Sequence, residues 1–297
     1  MKVYILLILC VLFWSGNFVI GRFVKEEISV FEMIFFRWSF TLILISPILF
    51  ISYKKILNSF KINYKILLFL SFLGIALFNT LVYTGLKLTT ATNALIINSS
   101  VPIIVLILSY FILKQSINMK QVFGIFISLI GVLYLILKGD ILDIFSLEFN
   151  KGDLWIILSS FTWALYSVVI KFKPKDLSDI EFFSTIVFLG FIMVLPLYLY
   201  QEYSLEYELN LLKENYFVFI YISLFTSVLS YYFWHKGINE IGANKTAQFT
   251  HLMPIFGAIL AFVFLGEILQ SYHIIGGVFI ALGIYLSLQK TKKRVSL

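Results

Sequence analysis

Polar side chains set inside long apolar runs are the residues of this sequence that can do chemistry, because each is costly there unless it meets a partner or a solute. Trp14, Asn17 and Gly21 are spaced three and four apart, which puts them on one helical face. Trp163 and Tyr166 repeat that face later in the chain. Asn79 and Tyr83 stand four apart, and Tyr231 and His235 repeat them. Ala94, Asn98 and Pro102 make a third stripe, matched by Gln248, His251 and Pro254. Aromatic walls carrying amide groups suit the holding of a small polar or amphipathic solute, so Trp14, Asn17, Asn79, Tyr83, Asn98, Trp163, Tyr166, Tyr231, Gln248 and His251 are candidate substrate-binding residues. A plainer reading stands beside this one. Asn79, Asn98 and Gln248 can join helices through hydrogen bonds worth roughly 0.6–2 kcal/mol each, and the rings can be packing or interfacial anchors. Trp14 and Trp163 fall near mid-span, away from the interfacial belts, and are read as cavity walls.

Arg37 lies about six residues inside an apolar run, or ~9 Å along a helix axis, and the repeat puts Ile186 in its place. It can snorkel to the headgroups, or face inward and hold a substrate carboxylate by both oxygens; Glu32 is a possible partner. His251 is the one histidine well inside an apolar run. It is either a neutral link between helices or a proton-carrying site that couples protons to transport. Pro102 and Pro254 each remove a backbone hydrogen bond near mid-span and are read as hinges, with static kinks as the alternative. Glu267 is read as a helix-end contact.

Other chemistries are poorly served. The three histidines show no HExxH or HxxxH pairing, and there is no glycine-rich phosphate loop or nucleophile elbow. Cys10 is the only cysteine, so neither an intrachain disulfide nor a cysteine metal pair is available. The expectation is a protein with no catalytic residues, metal or cofactor, in which a channel-like facilitator is the first alternative and a membrane-embedded enzyme the second. Rings of charge and repeated filter loops, which a channel would use, are missing.

The elements that must position these groups are membrane helices. Of 297 residues, 60% are hydrophobic and 13% charged, more apolar than a soluble core of this size requires. A span needs about 20 mostly apolar residues, and ten runs qualify: 3–24, 31–52, 65–86, 91–113, 121–138, 154–172, 180–200, 215–236, 244–264 and 272–289. The first is polar at its end, through Asn17 and Arg22, and has no small-residue cleavage site, so it is read as a span. With both termini cytoplasmic, sixteen of the twenty-three Lys and Arg residues fall on the inner side, and most acidic residues fall outside. The net charge of +7 is then a topology signal whose partner is anionic headgroups, and no folded basic domain suggests nucleic acid.

The chain also repeats itself. Gly85 and Gly237, Ala91 and Ala243, Pro102 and Pro254, Gly124 and Gly276, and Gly131 and Gly283 all stand 152 residues apart. Trp14 and Trp163, and Pro47 and Pro196, stand 149 apart, which places the extra residues within the polar stretch Gln201 to Asn215. Five spans per half is an odd number, so residues 140–297 enter the membrane inverted relative to residues 1–139, as in carriers built for alternating access. The seven-residue spacing of Gly124 with Gly131, and of Gly276 with Gly283, marks faces for close helix packing, expected of a static support at the edge of the bundle.

The run CVLFWSGNFVIGRFV followed by FEMIFFRWSF, its mirror SSFTWALYSVVIKF, and the paired P-x12-[EQ]-x8-G-x6-G stretches resemble the drug/metabolite transporter superfamily, specifically its ten-span EamA-type branch. The similarity covers nearly the whole chain. It implies ten helices around a central cavity, cytoplasmic termini in the inner membrane, and movement of small metabolites, with amino acids and their derivatives frequent among them. The acidic position of the motif is Glu267 in the second half but Gln115 in the first, so a charge is not required there in both. The sequence therefore reads as an all-α, monomeric carrier of two inverted five-helix repeats, with a small-molecule substrate, membrane lipids and, through His251, protons as partners.

Overall fold

The computed structural model describes residues 2–24, 28–201, 203–265 and 268–289. Glu267, the basic residues of the C-terminal tail and the side chains at positions 21 and 22 lie outside the described residues. Among those described there are helices and no strands. The helices are α1 (Lys2–Val24), α2 (Val30–Ile51), α3 (Tyr53–Leu88), α4 (Ala91–Asn98 continuing as Val101–Leu113), α5 (Met119–Ile136), α6 (Lys151–Val169), α7 (Asp179–Leu199), α8 (Leu205–Ile241), α9 (Ala243–Ala247 continuing to Leu265) and α10 (Ser271–Leu288). Nine of them, α2 to α10, are long and apolar enough to cross a membrane; for α1 the apolar stretch that can be assessed is Lys2–Asn17.

Capping residues fix where several helices start. Ser29 and Ser178, 149 residues apart, each accept from the backbone N–H three residues on, while Glu32 and Glu181 reach back to the cap N–H, which closes two capping boxes. Asn150 and Asp153 do the same for α6. These boxes satisfy donors that a helix start would otherwise leave unpaired.

Two irregularities recur at the 152-residue offset. α3 bends at Asn63 (φ −113°, ψ 20°) and α8 at Asn215 (φ −115°, ψ 15°), so each begins with a polar segment that turns into its span. Each then widens to a π-turn, at Phe72–Leu77 and at Leu224–Leu229. A π-turn loosens the i→i−4 ladder and frees carbonyls. The breaks in α4 and α9 also correspond. α4 turns at Ser99 and Ser100, and α9 tightens to a 3-10 helix over Gln248–Leu252.

Contacts between the halves join ends that the charge pattern assigns to one side. Lys55 pairs with Glu181 at 2.6 Å, Asn244 donates to Gln115 at 3.2 Å and Lys120 to Gln289 at 3.3 Å, all at ends read as inner. At ends read as outer, Ser29 Oγ lies 2.6 Å from Tyr203 Oη, Asn93 donates to Asp153 at 3.1 Å, and Thr89 donates to Asp153. α5 and α10 pack through their glycines. A Cβ on Gly124 would stand 2.5 Å from the Gly283 carbonyl oxygen, and one on Gly131 would stand 2.7 Å from that of Gly276. Only glycine permits this approach.

Candidate functional site

A cavity of about 50 Å³ lies where α1, α2, α3, α4, α6, α8 and α9 converge. Its wall contains Trp14, Asn17, Arg37, Asn79, Tyr83, Asn98, Trp163 and Tyr231, eight of the eleven residues the sequence suggests for substrate. Phe78, Val82, Thr250 and Met253 complete it. At this volume it accommodates a few waters. A metabolite enters only if the walls move.

The aromatic side of the wall is continuous. The Trp14 and Trp163 rings meet edge to face at 5.2 Å, Phe78 lies 4.7 Å from Trp163, and Tyr231 5.5 Å from it. Aromatic pairs favour such geometry. Toward the ends that the charge pattern assigns to the inner side the rings carry on as Trp234 and Tyr166, with Phe182, Phe183 and His235 beyond. These are almost fully buried, so the cavity has a closed aromatic floor.

The freed carbonyls of the two π-turns hold the site together. Thr226 O, in α8, accepts from Trp14 Nε1 at 3.0 Å and from Arg37 Nη2 at 3.3 Å. Gly74 O, 152 residues earlier in α3, accepts from the Tyr231 hydroxyl at 2.7 Å. One irregularity, used twice, thus anchors one cavity ring from each half. Thr226 and Ser227 were not legible as site residues, because serine and threonine are common in apolar helices and no residue type announces a π-turn.

Arg37 is 4% exposed and does not snorkel. Nε donates to Ser227 Oγ at 2.8 Å and Nη1 to the Tyr83 hydroxyl at 3.0 Å, while the guanidinium lies 5.2 Å from the Trp38 ring centre. Glu32 is not its partner; that carboxylate accepts from Ser29 N at 2.7 Å in the capping box. The Tyr83 hydroxyl donates in turn to Asn17 Oδ1 at 3.3 Å. Tyr83 also lines a second pocket, at the ends read as outer, with Ile28, Ser29, Val30, Met33, Leu86 and Lys87, and so forms the partition between that pocket and the cavity.

Three of the suggested residues fall outside the cavity wall. Tyr166 sits behind Trp163, ring on ring at 5.2 Å, and its hydroxyl lies 2.6 Å from His235 Nε2. Gln248 is buried with both amide atoms unpartnered among the described residues. His251 Nε2 lies 2.9 Å from the Ser99 carbonyl, which can only accept, and Nδ1 lies 2.6 Å from Ser128 Oγ. A neutral imidazole with Nε2–H donating and Nδ1 accepting satisfies both contacts. The reason Gln248 and His251 turn away is geometric. A 3-10 helix advances about 120° per residue and an α-helix about 100°, so five 3-10 residues rotate the expected stripe by about a quarter turn. Thr250 and Met253 take the cavity positions instead.

The prolines bear on the same wall. Pro102 and Pro254 have no N–H to give the carbonyls four residues back, those of Asn98 and Thr250, and both of these residues line the cavity. Among the described residues the Asn98 amide makes one bond, of 3.8 Å, to the Met253 sulfur. Among the described residues no group of His, Cys, Asp and Glu could hold a metal ion.

The profile of the EamA-like transporter family matches residues 1–137 and again 150–289. An uncharacterized transporter of Bacillus subtilis, YyaM, is 29% identical over 96% of this chain and 92% of its own length. An uncharacterized transporter of Archaeoglobus fulgidus is 29% identical over 97% of the chain and 98% of its own length. A solved crystal structure of 12% identity superimposes with a TM-score of 0.72 over 97% of both chains, a likeness of fold.

Proposed function

The chain belongs to the EamA-like transporter family of multi-pass membrane proteins, and on that premise we propose that it is a secondary carrier that moves a small metabolite by alternating access. The solute is an amino acid or close derivative, held in the central cavity between the Trp14 and Trp163 rings and the amides of Asn17, Asn79 and Asn98. The observation that carries this reading is the cavity itself: largely apolar and aromatic-walled with a few polar groups set into it, built from matched positions of both halves and closed at its inner floor. A closed floor suits a carrier, since a channel needs a continuous path. Pro102 and Pro254 are the hinges, and the broken α4 and α9 supply backbone acceptors beside the site, as discontinuous helices do in other carriers. The protein sits in the inner membrane with both termini cytoplasmic.

Proteoliposomes test this. Saturable uptake of an amino acid, with no conductance in planar bilayers, is the expected result. Conductance that rises linearly with solute would replace the carrier with a facilitator.

A further inference from the structure

The next step rests on the reading of the cavity as the solute site and names the head group that it selects. We propose that the cavity takes solutes bearing one carboxylate, bound by Arg37, and that the Tyr83 hydroxyl holds the carboxylate's place until the solute arrives.

The argument begins with Arg37's donors. A guanidinium has five N–H groups, and three are used: Nε to Ser227 Oγ, Nη1 to Tyr83 Oη and Nη2 to Thr226 O. Each nitrogen of the fork therefore keeps one N–H that no described residue accepts. Every acceptor is neutral, and among the described residues no carboxylate pairs with this cation. A buried charge without a counter-ion is expensive, and an arriving anion relieves that cost. The positive charge is single, so one carboxylate group pairs with it, whereas a dianionic phosphate would leave a buried negative charge. The fork geometry matches a carboxylate's two oxygens.

Tyr83 completes the inference. Its hydroxyl accepts from Arg37 and donates to Asn17, and its ring separates the outer pocket from the cavity. A solute entering through that pocket meets Tyr83 first. A carboxylate is a stronger acceptor for a guanidinium than a phenol is, so turning the fork to meet both carboxylate oxygens draws Nη1 from Tyr83 Oη and releases the ring. An amide replaces one neutral acceptor by another and gains no such advantage. Tyr83 thereby sets specificity for the acid over its amide.

The test is thermal unfolding of the purified full-length protein with each of the twenty L-amino acids and its amide at millimolar concentration, since a bound ligand raises the melting temperature. At least one acid is expected to stabilise the wild type, its amide not to, and Arg37→Lys, which keeps the charge but loses the fork, to weaken that acid about tenfold. Tyr83→Phe, which keeps the ring and removes the competing acceptor, is expected to bind the same acid about fivefold more tightly, the worth of one neutral hydrogen bond. The proposal is overturned if an amide stabilises as well as its acid, if Tyr83→Phe leaves the acid's affinity unchanged, or if no acid stabilises the wild type. A neutral solute whose effect vanishes in Trp163→Phe but persists in Arg37→Lys would leave the carrier reading standing without the carboxylate. Stabilisation that survives both Trp14→Phe and Trp163→Phe would remove the cavity reading itself.

Discussion

At the scale of single residues, what sets the cavity wall is the cost of leaving a polar group in contact with lipid. Trp14, Asn17, Asn79, Tyr83, Asn98, Trp163 and Tyr231 are polar or amphipathic groups at mid-span depth, and a bundle has few places for such groups other than its interior. Trp14→Phe keeps the ring and deletes the bond from Nε1 to Thr226 O. It is expected to cost about 1 kcal/mol in stability and to weaken solute binding about fivefold in a melting-temperature titration; unchanged affinity would make Trp14 a packing residue. His251 carries the opposite expectation. It bridges α9 to Ser99 of α4 and Ser128 of α5, away from the cavity wall. His251→Ala should destabilise the protein by about 1–3 kcal/mol, by leaving buried partners unpaired, and should leave the pH profile of transport unchanged. Loss of pH dependence in a folded variant would instead make His251 the proton-coupling site. The pairing of His235 with Tyr166 is not legible in the sequence, since a contact between residues 69 apart depends on how α6 and α8 meet.

At the scale of elements, length and apolarity marked the spans well, while periodicity failed at the 3-10 segment of α9 and also at Tyr166, which lies in regular α-helix behind Trp163. The π-turns at Phe72–Leu77 and Leu224–Leu229 and the 3-10 segment at Gln248–Leu252 change the angular step while leaving residue types ordinary. Glycine spacing, by contrast, translated directly into contact, because a missing Cβ acts through distance alone. A Cβ on Gly283 would lie 2.4 Å from Ser128 N and 2.5 Å from Gly124 O, both backbone atoms. Gly283→Val should therefore force α5 and α10 apart and destabilise the protein by about 3 kcal/mol or more, above ordinary overpacking, seen as a lower melting temperature and poor yield. Gly257→Ala is the control: nothing stands within 4 Å of its Cβ, and the two variants should differ clearly. Equal stability of the pair would show that α5 and α10 can separate at little cost.

At the scale of the whole molecule, two copies of one pattern make one asymmetric site, and inversion of the halves in the membrane is the arrangement we propose for them. The Tyr83–Asn17 bond of 3.3 Å in the first half corresponds by position to the Tyr166–His235 bond of 2.6 Å in the second. The first stands at the partition between the two pockets and the second within the aromatic floor at the opposite end of the cavity. If the halves exchange conformations, the floor opens where the partition now stands, which requires the equivalent helices to run in opposite directions. That requirement is testable without a substrate. In a Cys10→Ser background, single cysteines at the exposed positions Ser116, Ser146, Lys175 and Gln201 sample four successive connections. In intact cells a membrane-impermeant thiol reagent should label positions 146 and 201 and spare 116 and 175. The reversed pattern would keep the inversion and move both termini outside. Labelling of 116 and 175 from different sides would break the inverted arrangement, and alternating access by exchange of the two halves would fall with it.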